Sequence, residues 1–169
     1  PAEANFHPNL FNGTEKDFNE FYDKYLKGKE DEVFRLALDS PDIKKLVQQL
    51  NTAKQLRTEH VDSYNNKLYS NKHESSTYSY TTQIISKGRK IAGTPYTLFD
   101  KGDFFKSWEV KVENGYILIN ADPIKRKGKF GGTNLFDEYG ENILGLTDDS
   151  LEILIKKANE HFTNWYSKN

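Results

Sequence analysis

Only a few places in this chain could do chemistry. It has four histidines, His7, His60, His73 and His161, and no cysteine, which excludes disulfides, thiolate metal sites, iron–sulfur ligation and cysteine nucleophiles. No two histidines stand four apart or in any compact ligand spacing, so there is no zinc signature. His60 and His73 flank a polar stretch ahead of the first expected strand. Either could act as the general base of a metal-free ribonuclease, with Lys or Arg on the phosphate. His161, beside Phe162 near the end of the last expected helix, reads as a cation that favours the helix dipole.

A second cluster is acidic. Asp100 is followed by Glu109, with Lys111 two residues later on the same strand face. In many metal-dependent nucleases an Asp followed by Glu-x-Lys holds Mg²⁺ on the acids and orients water with the lysine. Alternation at period two is also how a solvent-facing strand displays charge. Gly-x-Ser-x-Gly, His-Glu-x-x-His and Gly-x-Gly-x-x-Gly are absent, and Gly131-Gly132-Thr133-Asn134 lacks the Lys-Ser/Thr ending of a phosphate loop.

The third feature is charge placement. The formal net charge is −1, yet residues 85–130 hold ten Lys or Arg against five Asp or Glu, while residues 131–169 hold three against seven. Two glycine-bearing turns concentrate the cations: Lys87, Arg89 and Lys90 in one, Lys125, Arg126, Lys127 and Lys129 in the other. Brought to one end of a sheet, they would form a patch able to hold phosphate, sulfate, an acidic protein surface or nucleic acid. The bland alternative is that both are solvated turns. The leading expectation is therefore a non-enzymatic binding or interaction module of an exported protein, engaging a protein or anionic partner through these loops. The alternative is a small nuclease, possible toxic domain of a larger exported protein. The leading reading needs neither metal nor cofactor.

The elements that must position these groups follow from periodicity. Thr14 caps a helix with Phe18, Phe21, Tyr22, Tyr25 and Leu26 on one face, and residues 30–38 form a second. Ser40-Pro41 starts a third, with Ile43, Leu46, Val47, Leu50 and Ala53 inward, which continues by pattern toward Leu68 with a break of unassigned position. From Ser75 the Thr, Tyr and Ile content predicts strands at 75–86, 91–99 and 104–113. Tyr78 and Tyr80 would share a face of the first, with Tyr96 on its neighbour. Asn114-Gly115 between Trp108–Glu113 and Tyr116–Asn120 is the clearest signal, a two-residue type I′ hairpin. Residues 121–146 read as a glycine-rich return with one more short strand. Thr147-Asp148-Asp149-Ser150 then opens a helix with Leu151, Leu154, Ile155, Ala158, Phe162 and Trp165 on one face.

The expected fold is α+β: N-terminal helices on an antiparallel sheet of about four or five strands, closed by a C-terminal amphipathic helix. A single domain of 1–169 is expected, with 1–74 mainly helical, 75–146 mainly strands and loops, and 147–166 the final helix. Aromatics at 14% and balanced charge place the chain among folded proteins. No apolar run is long enough to span a bilayer. A chain without Met or Cys that begins Pro1-Ala2-Glu3 is expected to be processed and secreted or held at a bacterial cell surface, or to be an excised domain.

Overall fold

Ser40 and Pro41 start the first described helix as their chemistry dictates. The Ser40 hydroxyl accepts from the Ile43 amide at 3.3 Å, and Pro41 occupies the first turn, where its missing N–H costs nothing. The computed structural model describes residues 39–113, 116–126 and 132–168. The helices expected at 14–28 and 30–38, the Asn114-Gly115 turn and Lys127 to Gly131 lie outside them.

In chain order the elements are α1 (Pro41–Gln49) running into a π-helical stretch (Leu50–Glu59), α2 (Tyr80–Ile85), the single turn α3 (Asp103–Lys106), β1 (Glu109–Glu113), β2 (Tyr116–Asn120), β3 (Ile124–Arg126), β4 (Gly132–Asn134), α4 (Leu135–Tyr139), a 3₁₀ turn (Glu141–Ile143) and α5 (Asp148–Lys168). Helix and sheet are mixed, but the sheet is smaller than expected. Among the described residues there are two antiparallel pairs, β1 with β2 and β3 with β4, in place of one sheet of four or five strands closed by the last helix. The two strands of the expected hairpin form, separated by two residues.

The missing strands failed for local reasons. In residues 75–86 the Ser79 hydroxyl accepts from the Thr82 amide at 3.1 Å and caps α2, so a side-chain cap overrides β propensity. What remains of pairing there is two isolated bridges, Ser70 with Ser75 and Thr77 with Pro95. Residues 91–99 are interrupted by left-handed backbone at Gly93 and Leu98, and residues 103–106 turn helical before β1 begins.

The chain divides into two compact units. One comprises the described residues of 39–47, 110–118 and 148–168. Its buried apolar side chains include Ile43 and Val47 of α1, Ile117 of β2, and Leu154 and Ala158 of α5. The last helix starts on the acidic pair Asp148-Asp149, which suits the positive end of its dipole.

The other unit, Gln48–Glu109 with Ile119–Thr147, carries the cleft described below. Its core includes Leu56, Leu68, Tyr78, Tyr96, Phe105, Trp108, Leu135 and Ile143. Two carboxamides of the π-helical stretch organise it. Asn51 donates to the Ile143 carbonyl at 2.9 Å and accepts from the Gly145 amide at 2.8 Å. Gln55 donates to the Gly145 carbonyl at 2.8 Å and accepts from the Thr147 amide at 2.9 Å. Each side chain thus offers one donor and one acceptor to alternate residues of segment 143–147, as the edge of a neighbouring strand would. The expected apolar face holds at Ile43, Val47 and Leu50, while Ala53 is exposed and Asn51 and Gln55 are fully buried. Gly145 is required where it sits: its φ is +125°, and a Cβ there would lie 2.9 Å from Ser63 Cβ.

Candidate anion-binding cleft

The basic turn after α2 is built by its neighbours' polar groups. Gln83 Oε1 accepts from the Ala92 amide at 2.8 Å, Ser86 Oγ accepts from the Lys90 amide at 3.0 Å, and the Gly88 amide donates to the Gln83 carbonyl at 3.0 Å. Lys87 and Gly88 reverse the chain in two consecutive left-handed conformations. At its base the excursion closes through Tyr78 N–H to Thr94 C=O (3.0 Å) and Gly93 N–H to Tyr78 C=O (2.9 Å). Arg89 and Lys90 are thereby held at one wall of a cleft of ≈ 630 Å³. Lys125 reaches it from β3, whose residues 124–126 pair with 134–132 of β4. That approach needs Gly132, since a Cβ there would meet the Lys125 carbonyl at 2.7 Å.

The two basic segments meet on one carboxylate. Arg89 Nε lies 3.2 Å from Asp100 Oδ1 and Lys125 Nζ lies 3.9 Å from Oδ2. The Lys90 ammonium stands over the Tyr78 ring, 5.3 Å from its centroid, within cation–π range. Burial alone would raise the Asp100 pKa, but Lys125, Lys90 and Arg89 outweigh it and hold the carboxyl below its usual value. Lys125 is shifted the other way for a cation: burial, then repulsion from and hydrogen bonding with Lys90, lower its pKa despite Asp100. Three cations therefore crowd one carboxylate.

An aromatic wall lines the same cleft. Tyr78 meets Tyr96 edge to face at 4.8 Å between centroids, and Tyr96 meets Tyr139 at 5.3 Å. Tyr78 is fixed by accepting from the Thr97 amide at 3.0 Å. Burial raises the pKa of Tyr96, against hydrogen bonds from Ser75 and Ser70, and raises that of Tyr139 further with the help of nearby Glu138. Glu138, on α4, accepts from Ser70 Oγ at 2.8 Å and faces His73 Nε2 at 3.8 Å. The cap that starts α4, Asn134 Oδ1 accepting from the Phe136 and Asp137 amides, sets where Glu138 and Tyr139 emerge.

Of the sequence-predicted residues, Arg89, Lys90, Lys125, Asp100 and His73 share this cleft. Lys87 is exposed and outside its lining. The Arg126 side chain, Lys127 and Lys129 lie outside what is described. His60 is turned away, its Nδ1 3.0 Å from the Tyr96 carbonyl. Glu109 is exposed outside the cleft lining, and Lys111, also exposed, belongs to the other unit. Among the described residues no three of His, Asp and Glu are grouped to hold a metal ion, and no helix is long and apolar enough to cross a membrane. Of the tyrosine row, Tyr78 and Tyr96 are core while Tyr80, on α2, is exposed. Glu138 and Tyr139 were not anticipated; the Asn134 cap was the available signal. No family model, curated protein or solved structure matches the chain.

Proposed function

We propose that the chain is a non-enzymatic binding module of an exported protein, taking an anionic group of a ligand or partner between Arg89, Lys90 and Lys125. The observation that carries this reading is the three-to-one crowding of cations on Asp100. An arriving anion relieves the repulsion between Lys90 and Lys125. Two charge-assisted hydrogen bonds contribute about 3–6 kcal/mol, and a millimolar affinity needs about 4 kcal/mol. Calorimetric titration with inorganic pyrophosphate is expected to give saturable binding that weakens with added salt. Absence of binding at low salt rejects the reading.

The pH dependence has a definite sign. Lys125 sheds its proton below the ordinary lysine value of 10.5, through burial and then Lys90. Pyrophosphate affinity is therefore expected to fall, as pH rises, before ordinary lysines titrate. Lys90→Gln should move that fall to higher pH, because it removes the repulsion. Titrations across the alkaline range check this, and a fall unmoved by Lys90→Gln disproves the coupling.

One observation favours a second reading. His73 faces the largely buried Glu138 at 3.8 Å, and both line the cleft that holds the cations. A histidine oriented by a carboxylate, with cations for a phosphodiester, is the equipment of a metal-free ribonuclease. Incubation of the purified chain with RNA in chelator tests it: cleavage that His73→Ala abolishes replaces the first reading, and intact RNA dismisses the second.

A further inference from the structure

We infer that the excursion from Tyr78 to Pro95 docks on an anionic lipid surface. Helix α2 has no buried residue, which is unusual, since helices in folded proteins are stabilised mainly by packing an apolar face. Its apolar side chains point to solvent instead: Tyr80 is 69% exposed, Ile84 61% and Ile85 71%, with Ile91 of the following turn at 57%. Tyr80 and Ile84 stand one helical turn apart. Ile91 is carried back toward α2 by the bond from the Ala92 amide to Gln83 Oε1. The patch is held by its own hydrogen bonds and closed at the base by the Tyr78, Gly93 and Thr94 backbone, so it keeps its shape without a core beneath it.

Charge selects the occupant. Residues 75–99 contain Lys87, Arg89 and Lys90 and no Asp or Glu, so the excursion itself carries cations only, with Arg89 paired to Asp100 just beyond it. Apolar side chains with a Tyr at the polar boundary and interleaved Lys or Arg are what an interfacial segment presents to a bilayer with anionic headgroups. Arg89 and Lys90 also line the cleft, so the inference rests in part on the proposed anion site. Lys87 and the four apolar residues do not line it.

Sedimentation of the full chain with vesicles tests the proposal, using phosphatidylcholine alone and phosphatidylcholine with about one third phosphatidylglycerol. Binding is expected only to the anionic vesicles. Ile84→Ser with Ile85→Ser should weaken it on the order of a hundredfold, and Lys87→Gln by roughly fivefold. Both variants should melt like the parent and retain pyrophosphate binding. Pyrophosphate binding without vesicle binding overturns this inference and leaves the anion site standing. Vesicle binding without pyrophosphate binding does the reverse. Equal binding to both vesicle types, vesicle binding insensitive to Ile84 and Ile85, or a protein partner that needs these isoleucines while vesicles are ignored, each overturns it.

Discussion

Gln55→Leu is expected to destabilise the chain by about 3–5 kcal/mol, and Asn51→Leu by a similar amount. Both side chains are fully buried and use donor and acceptor together, on the Ile143 carbonyl, both backbone groups of Gly145 and the Thr147 amide. Leucine is no smaller than either, so none of the loss is cavity, and at Asn51 its extra volume adds overpacking. What is lost is hydrogen bonding to peptide groups that stay buried, each costing about 1–3 kcal/mol when deprived of its partner. For a chain of this length, a melting temperature lower by about 10 °C follows. The double variant should lose less than the sum of the singles, because Gly145 is shared and its segment detaches once. Thermal denaturation followed by circular dichroism measures all three. A loss below about 1 kcal/mol in either single variant would mean that segment 143–147 finds other partners.

Arg89→Glu combined with Lys90→Glu is expected to weaken pyrophosphate binding by at least a hundredfold while shifting the melting temperature little. The pair removes two of three cations and puts two carboxylates beside Asp100, which Arg89 now holds at 3.2 Å. Like charges at such distances repel a third anion strongly in a partly buried cleft. The Arg89 side chain is 52% exposed, so its ion pair contributes little to folding. Lys125 is deeper and is better tested as Lys125→Gln, which keeps the stem packed. Calorimetry with pyrophosphate reads the affinity, and the salt dependence should flatten as well. Undiminished binding in the double variant would move the site elsewhere.

What could be read from the residues depended on how local the deciding interaction was. Ser40-Pro41, the two strands flanking Asn114-Gly115 and the acidic start of α5 are local signals, and those elements are where they were expected. The strand expected at 75–86 rested on average propensity, and one serine cap reversed it. The inward carboxamides could not be read from hydrophobic periodicity, because that treats Asn and Gln as surface residues. Their burial depends on peptide groups some ninety residues away in the chain. For the cleft, the two basic turns were visible, and so was Asp100, but in another role. Spacing groups it with Glu109 and Lys111, whereas the fold places it between Arg89 and Lys125. Glu138 and Tyr139 join the cleft only because α4 begins at Asn134.

The π-helical stretch has a bearing on how this chain can change over generations. A π turn closes over one residue more than an α turn, so Leu50–Glu59 is a counted length. Removing one residue between Asn51 and Gln55 would invite the tighter helix and swing every later side chain by roughly 100°, carrying Gln55 away from Gly145 and Thr147 while Asn51 stays in place. Outside that stretch, in the exposed turn around Tyr64 and Asn65, the same deletion would disturb only surface backbone. Relatives of this chain should therefore vary in length around that turn and keep the count between Asn51 and His60 unchanged.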